Sequence, residues 1–223
     1  MMRERKIKLI AFDLDGTLCN TIADIAASMN RALVKHNIVP YTEMQIQGMV
    51  GHSMVNLCRR AMPNGREDEW RAVMEDYFSD YSRHLTDTTC PYAGIPELLS
   101  ALKAQGYTLA CVSNKPHPNT VQMITELFSH RGEVFSRVQG QNEKFTLKPH
   151  PDSLLFVIRN LGFTPEETLY VGDSDVDYQF ARNAMTHFCG VAWGFKGRAL
   201  LEELNSEFII DNPGELFGVL EQL

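Results

Sequence analysis

Two aspartates separated by one leucine follow a short apolar run, in Phe12-Asp13-Leu14-Asp15-Gly16-Thr17. Side chains alternate along an extended segment, so Asp13 and Asp15 point the same way and bring two carboxylates together at a strand end. Phosphoryl transfer to a carboxylate needs a nucleophile, a proton donor for the leaving oxygen and neutralised charge. Asp13 can be the first and Asp15 the second, because close carboxylates raise each other's proton affinity and suit one to stay protonated near neutral pH. Gly16 supplies turn freedom, and Thr17 a hydroxyl and an N–H. The same residues would also serve as an Asx-turn capping the next helix.

A second acidic cluster, Gly172-Asp173-Ser174-Asp175-Val176-Asp177, follows the apolar run ending at Val171. One or two of its carboxylates, with Asp13 and the Asp15 carbonyl, would offer the hard oxygen donors that Mg²⁺ prefers. The ion's charge would offset repulsion between Asp13 and a phosphate. No Glu closes the cluster as a calcium loop of the EF-hand type requires, and an acid-rich helix start is the plainer alternative. Ser113-Asn114-Lys115-Pro116 also ends an apolar run, and a hydroxyl with backbone N–H groups there can hold phosphate oxygens or form an ordinary turn. Lys148, in the Pro-fixed segment Lys148-Pro149-His150-Pro151-Asp152, could aim one ammonium inward, with Lys144 as a rival and a solvated surface lysine as the alternative.

Elements must gather these residues. Residues 7–12 read as a buried strand, and helical spacing of Ile22, Ile25, Ala26, Met29, Leu33 and Val34 predicts a helix over about 20–37. Two or three further helices are expected to fill 42–85, around Met49 to Met62 and Trp70 to Leu85, with a break at Pro63-Asn64-Gly65. Beyond Pro91 strands and helices alternate: strands at 107–112, near 134–138, at 168–171, 187–192 and 208–210, and helices at 95–105, 117–129, 152–161, 175–184 and 214–222. The expected fold is therefore α/β, a Rossmann-like parallel sheet with both faces covered, carrying an inserted all-helical segment. The boundaries are 1–18 and 88–223 for the α/β core and 19–87 for the helical insertion. Ligands bind beyond the carboxyl ends of such strands, where Asp13, Ser113, Asn114 and Asp173 fall.

A net charge of −7 with no long basic stripe argues against nucleic acid or acidic lipid as partner. The basic opening Arg3-Glu4-Arg5-Lys6 precedes an apolar run too short for a signal peptide or membrane span, so a cytoplasmic location is expected. Cys19, Cys58, Cys90, Cys111 and Cys189 form no Cys-x-x-Cys pair, which disfavours a zinc site or disulfide framework.

The order and spacing of these segments resemble the haloacid dehalogenase superfamily, and within it phosphoglycolate-phosphatase-like enzymes, over essentially the whole chain. The resemblance implies Asp13 as nucleophile, Asp15 as acid/base, Ser113 and Asn114 with Lys148 as phosphate ligands, and Asp173 with Asp13 and Asp15 at Mg²⁺. Asp177 would steady the site through waters or Lys148, with Gly16 and Thr17 in support. Ala181-Arg182-Asn183-Ala184 and Gly190-Val191-Ala192-Trp193-Gly194-Phe195 are similar to segments of the same enzymes. The helical insertion is similar to their mobile cap, where His52 and Ser53 would face substrate, although Ser53 equally suits a helix start. Met185 stands where relatives usually have Gly and reads as a packing change; the 141–147 loop lacks an acidic pair common in relatives.

The implied activity is Mg²⁺-dependent hydrolysis of a small phosphorylated metabolite through an aspartyl phosphate, by a monomer or homodimer. A mutase of the β-phosphoglucomutase kind shares both aspartates and the cap, but more often carries Val at the position of Thr17. A catalytically silent binding protein on the same fold would show a broken constellation, whereas here every position is filled.

Overall fold

In the computed structural model the described residues are 6–129 and 134–223; the basic opening Arg3-Glu4-Arg5 lies outside them. The elements run β1 (Leu9–Phe12), β2 (Cys19–Asn20), α1 (Ile22–Lys35), α2 (Glu43–Met49), α3 (Met54–Arg60), α4 (Trp70–Tyr81) and β3 (Cys90–Pro91). There follow α5 (Ile95–Ala104), β4 (Thr108–Pro116), α6 (His117–Phe128), β5 (Arg137–Gln141), α7 (Asp152–Leu161), β6 (Thr168–Gly172) and α8 (Asp175–Ala184). The chain ends with β7 (His187–Val191), α9 (Gly197–Glu203), β8 (Phe208–Ile210) and α10 (Leu216–Gln222). It divides into two compact units, Asn20–Cys90 and the remainder on either side of it.

The larger unit is built on six parallel strands in the order β5-β4-β1-β6-β7-β8. Alternation decides which side chains go where. Leu9 and Ala11 of β1 join Ala110, Val112 and Tyr170 in a core with Leu154, Val157 and Ile158 of α7 and Phe180, Ala181 and Ala184 of α8. Ile10 and Phe12, on the other face, are equally buried, so the sheet is covered on both sides. Phe12 lies level with Cys111 of β4 and Val171 of β6. The residues that follow, Asp13, Ser113 and Asp173, therefore emerge at one rim, where the chain order reverses on either side of β1.

The smaller unit is helical. α1 packs on α4, with Ile25, Met29 and Leu33 buried at helical spacing on one and Val73, Tyr77 and Tyr81 on the other. Its start is tied to its end by Asp24, whose carboxylate accepts from Thr88 N and Thr89 N (2.8 Å) and from both threonine hydroxyls at 2.6 and 2.7 Å. Among the described residues no helix is long and apolar enough to cross a membrane.

Several expected elements are shifted. Three α-helices form in 42–85, within the two or three expected, but the stretch from Met49 to Met62 is divided: Thr42 and Gln45 form a capping box that starts α2 earlier, and Ser53 opens α3 by accepting from Asn56 N at 3.1 Å. The strand expected near 134–138 begins at Arg137, and β4 runs on through Ser113 to Pro116. α9 went unread because only Leu201 of its seven residues is buried, too little for a periodic signal.

Met185 is a correction. It does not change the packing, being 73% exposed. It ends α8 at φ +58°, the left-handed conformation for which Gly is favoured because a Cβ is strained there. Met185→Gly should therefore stabilise the protein by about 0.5–1 kcal/mol, the relief of strain exceeding the added freedom of the unfolded chain. A lowered urea midpoint would refute this.

Asp24 gives a second expectation. Burial opposes its ionisation, but the hydrogen bonds from Thr88 and Thr89 outweigh it and hold the carboxyl below the usual carboxylate range. Asp24→Ala should cost about 3 kcal/mol at neutral pH by leaving these donors unmatched. A depressed folded value contributes stability above the unfolded value of about 3.9, lost as pH falls through the folded value. Denaturation curves of the two proteins should therefore converge only in strong acid.

Candidate active site

β1 delivers Asp13 to the rim, where its N–H donates to Val171 O at 2.9 Å. The chain then winds around one carbonyl: Leu14 O accepts from Leu18 N and Cys19 N at 3.0 Å each, and Leu14 is fully buried. Gly16 is required twice over. Its φ is +84°, and a Cβ there would lie 2.6 Å from Asp173 Oδ2. Across from it a Cβ on Gly194 would lie 2.2 Å from Asp173 Cβ. The two glycines form walls around the Asp173 side chain, whose Oδ2 accepts from Phe195 N at 2.7 Å.

Lys148 is the inward lysine, and Lys144 is exposed. The Lys148 ammonium donates to Asp13 Oδ1 and to Asp177 Oδ1, each at 2.8 Å, and to Tyr170 Oη at 3.1 Å. Its three N–H bonds thus each meet an acceptor. Tyr170 Oη in turn donates to Val112 O at 2.9 Å, and Asp177 is held by the capping box of α8, accepting from Ser174 Oγ at 2.6 Å. Asn114 clamps the Lys148 backbone, accepting from its N–H at 2.8 Å and donating to its carbonyl at 3.1 Å. That places the Asn114 amide on the lysine loop. Lys148-Pro149 is a cis peptide.

Ser113 Oγ accepts from Lys115 N at 3.3 Å, which leaves its hydroxyl proton available for a ligand. The Thr17 hydroxyl is buried without a partner among the described residues, and Thr17 acts instead through its carbonyl, which accepts from Trp193 Nε1 at 3.1 Å. Asp15 is bound by Lys115 Nζ, at 2.8 and 3.0 Å to its two oxygens. His52 and Ser53 lie in the smaller unit, His52 exposed and Ser53 capping α3.

Carboxylate oxygens of Asp13, Asp173 and Asp177 lie within 4.8 Å of one another, all buried. Three acids around one ammonium leave a surplus of negative charge. Burial, aided by Asp177 and Asp15, raises the Asp13 carboxyl to about 7 against the pull of Lys148. Burial and the charges of Asp177 and Asp13 likewise lift Asp173 well above the usual range. The rise on Asp13 thus comes chiefly from burial, where the sequence suggested mutual repulsion with Asp15. Burial works against the charged Lys148, but Asp13 and Asp177 more than restore it and hold its ammonium well above the ordinary lysine range.

The donor chemistry suits a divalent cation. Asp13 Oδ2 and Asp173 Oδ1 have no hydrogen-bond partner among the described residues, whereas both Asp177 oxygens are taken by Lys148 and Ser174. Asp13 and Asp173 are the fitting direct ligands, with Asp177 acting through the lysine. Tyr170, Lys115 and the Phe195 N–H were not singled out from sequence. The segments holding Lys115 and Phe195 carried a signal, but these two residues within them did not.

Removing the ammonium tests this network. Lys148→Met should destabilise the fold by about 3–5 kcal/mol, because Asp13 and Asp177 then lack a buried counter-charge. Adding Asp13→Asn should recover part of that loss in chemical denaturation; an additive cost would argue against a shared charge network.

The haloacid dehalogenase-like hydrolase profile matches residues 10–191. A phosphoglycolate phosphatase of Haemophilus influenzae is 32% identical, the alignment covering 96% of this chain and 99% of the relative. A pyrophosphatase of Bacillus cereus is 31% identical over 98% of each chain. The solved structure of a proposed phosphoglycolate phosphatase from Lactobacillus delbrueckii superposes with a TM-score of 0.91 at 28% identity, covering 96% of this chain and 98% of that one.

Proposed function

Because the chain belongs to the haloacid dehalogenase-like hydrolases and is a phosphatase, we propose that it hydrolyses a small phosphomonoester of the phosphoglycolate kind through an aspartyl phosphate on Asp13. The observation that carries the proposal is Asp13 itself: one oxygen is fixed by Lys148, while the other is unengaged beside Asp173.

The unengaged oxygen of Asp13 attacks phosphorus, and the ester P–O bond breaks. The departing oxygen takes a proton from Asp15. Water then attacks the phosphorus of the acyl phosphate and gives a proton to the Asp15 carboxylate, releasing inorganic phosphate and restoring Asp13. Ser113 donates its hydroxyl to a phosphate oxygen. Lys148, with all three N–H bonds engaged, reaches the phosphate by sharing one of them, and its main task is to hold Asp13 ionised. Asn114 serves by keeping the lysine loop in place. Asp13, Asp173 and the Asp15 carbonyl would hold Mg²⁺, which when bound neutralises charge on the phosphoryl group. The natural setting proposed is a pool of small phosphorylated metabolites in the cytoplasm.

Purified protein with Mg²⁺ should release phosphate from 2-phosphoglycolate, and chelation should stop it. Asp13→Asn should lower the rate by about 10³-fold or more, having lost its nucleophile. Failure to release phosphate from any of a broad panel of monoesters would sink the proposal. Hydrolysis of pyrophosphate in preference to 2-phosphoglycolate would overturn the substrate class. Conversion of a hexose phosphate to its isomer without net phosphate release would point to a mutase.

A further inference from the structure

Lys115 is a second buried lysine at the rim, and the chemistry above gives it no task. Its side chain is 4% exposed and Asp15's is 18%. The ammonium contacts both Asp15 oxygens, and among the described residues no other group hydrogen-bonds that carboxylate. A two-point contact fixes both the position and the plane of a carboxylate, whereas a lone Asp side chain retains two rotatable bonds.

The backbone that carries Lys115 is itself held. β4 advances from Val112 to Pro116 while its partner β5 advances only from Gln139 to Gln141, so two extra residues bow out in Ser113–Lys115. Such bulges re-aim side chains that regular alternation would send elsewhere. Lys115 N donates to Ser113 Oγ at 3.3 Å, and Lys115 O accepts from Thr120 Oγ1 at 3.1 Å. A Cβ on Gly140 of β5 would lie 2.7 Å from that same carbonyl, so only glycine lets β5 approach the bow this closely. A built backbone feature therefore delivers this ammonium to the one residue assigned the proton.

We propose that Lys115 is the positioning residue for Asp15: its ammonium fixes the side chain, keeping its contact to one oxygen while the other carries the proton that passes to the departing oxygen. The proposal rests on the role of Asp15 given above. A group acting only through the proton donor matters in proportion to how badly the leaving oxygen needs a proton, whereas a general structural support affects all substrates alike.

A series of monoesters with uncharged leaving groups, p-nitrophenyl, phenyl and benzyl phosphate, separates the two cases through kcat/KM, which reports steps up to departure of the leaving group. Lys115→Met should lower kcat/KM for benzyl phosphate by about 10²-fold and for p-nitrophenyl phosphate by less than about tenfold. Asp15→Asn should show the same grading, and adding Lys115→Met to Asp15→Asn should cost little more, since both remove one function. Should Lys115→Met fail to fold, Lys115→Gln, which keeps a shorter donor, should show a smaller loss graded in the same order. An equal loss across the series for the lysine variants, with Asp15→Asn graded, would overturn the proposal and leave the function standing. A further large loss from Lys115→Met in the Asp15→Asn background would also overturn it, placing Lys115 on the substrate. An ungraded Asp15→Asn would overturn the role of Asp15 and this proposal together.

Discussion

An ammonium can be buried only where its charge and all three N–H bonds are met, and Lys148 meets that condition with Asp13, Asp177 and Tyr170. Each acceptor is in turn fixed by something else. β1 holds Asp13, the capping box of α8 holds Asp177, and Val112 O holds the tyrosine hydroxyl. Asn114 keeps the lysine's own backbone in register with β4. Acceptors from the end of β1, from β6 and from α8 thus converge on one nitrogen. Because the ammonium balances only one acid, Asp13 and Asp173 hold their protons more tightly than ordinary carboxyl groups. The same arrangement that stabilises the lysine thereby leaves two carboxyl groups whose ionised forms a further positive charge would favour.

Steric exclusion is the complementary constraint. Asp173 is held by the absence of atoms: Gly16 and Gly194 leave room for its side chain, and any Cβ at either would collide with it. Its hydrogen bond comes from a backbone N–H, Phe195, so the groups that shape its surroundings are main chain and cannot rotate away. Preorganised dipoles of this kind need no rearrangement when charge develops.

The parts legible in the sequence are those in which local order and chemistry coincide. Asp13, Asp15 and Asp173 could be placed because apolar strands run directly into them, and parallel topology sends strand ends to one rim. Lys148 could be preferred over Lys144 because prolines fix its segment. Lys115 could not be assigned, because its direction depends on a two-residue bulge that leaves no mark in residue type. Tyr170 was hidden for another reason: in an apolar strand a tyrosine counts as core, and only the fold shows its hydroxyl reaching Lys148 and Val112. Met185 was misread because the usual Gly was taken as a matter of volume, when backbone angle is what that position demands. Between 42 and 85 the number of helices was legible but their starts were not, because the caps at Thr42 and Ser53 set them rather than apolar periodicity.

Asp13 and Asp15 are two residues apart, yet each is held by a different lysine, Asp15 by one in β4 and Asp13 by one in the segment between β5 and α7. The hydrogen bonds of the two ammonium groups to Asp13, Asp15, Asp177 and Tyr170 come from residues outside 20–90. Such machinery handles a phosphoryl group without reference to what carries it, and relatives of nearly equal identity are named for phosphoglycolate and for pyrophosphate. Preference for one phosphorylated compound must then arise in groups that touch the leaving portion, and those can vary without disturbing either lysine.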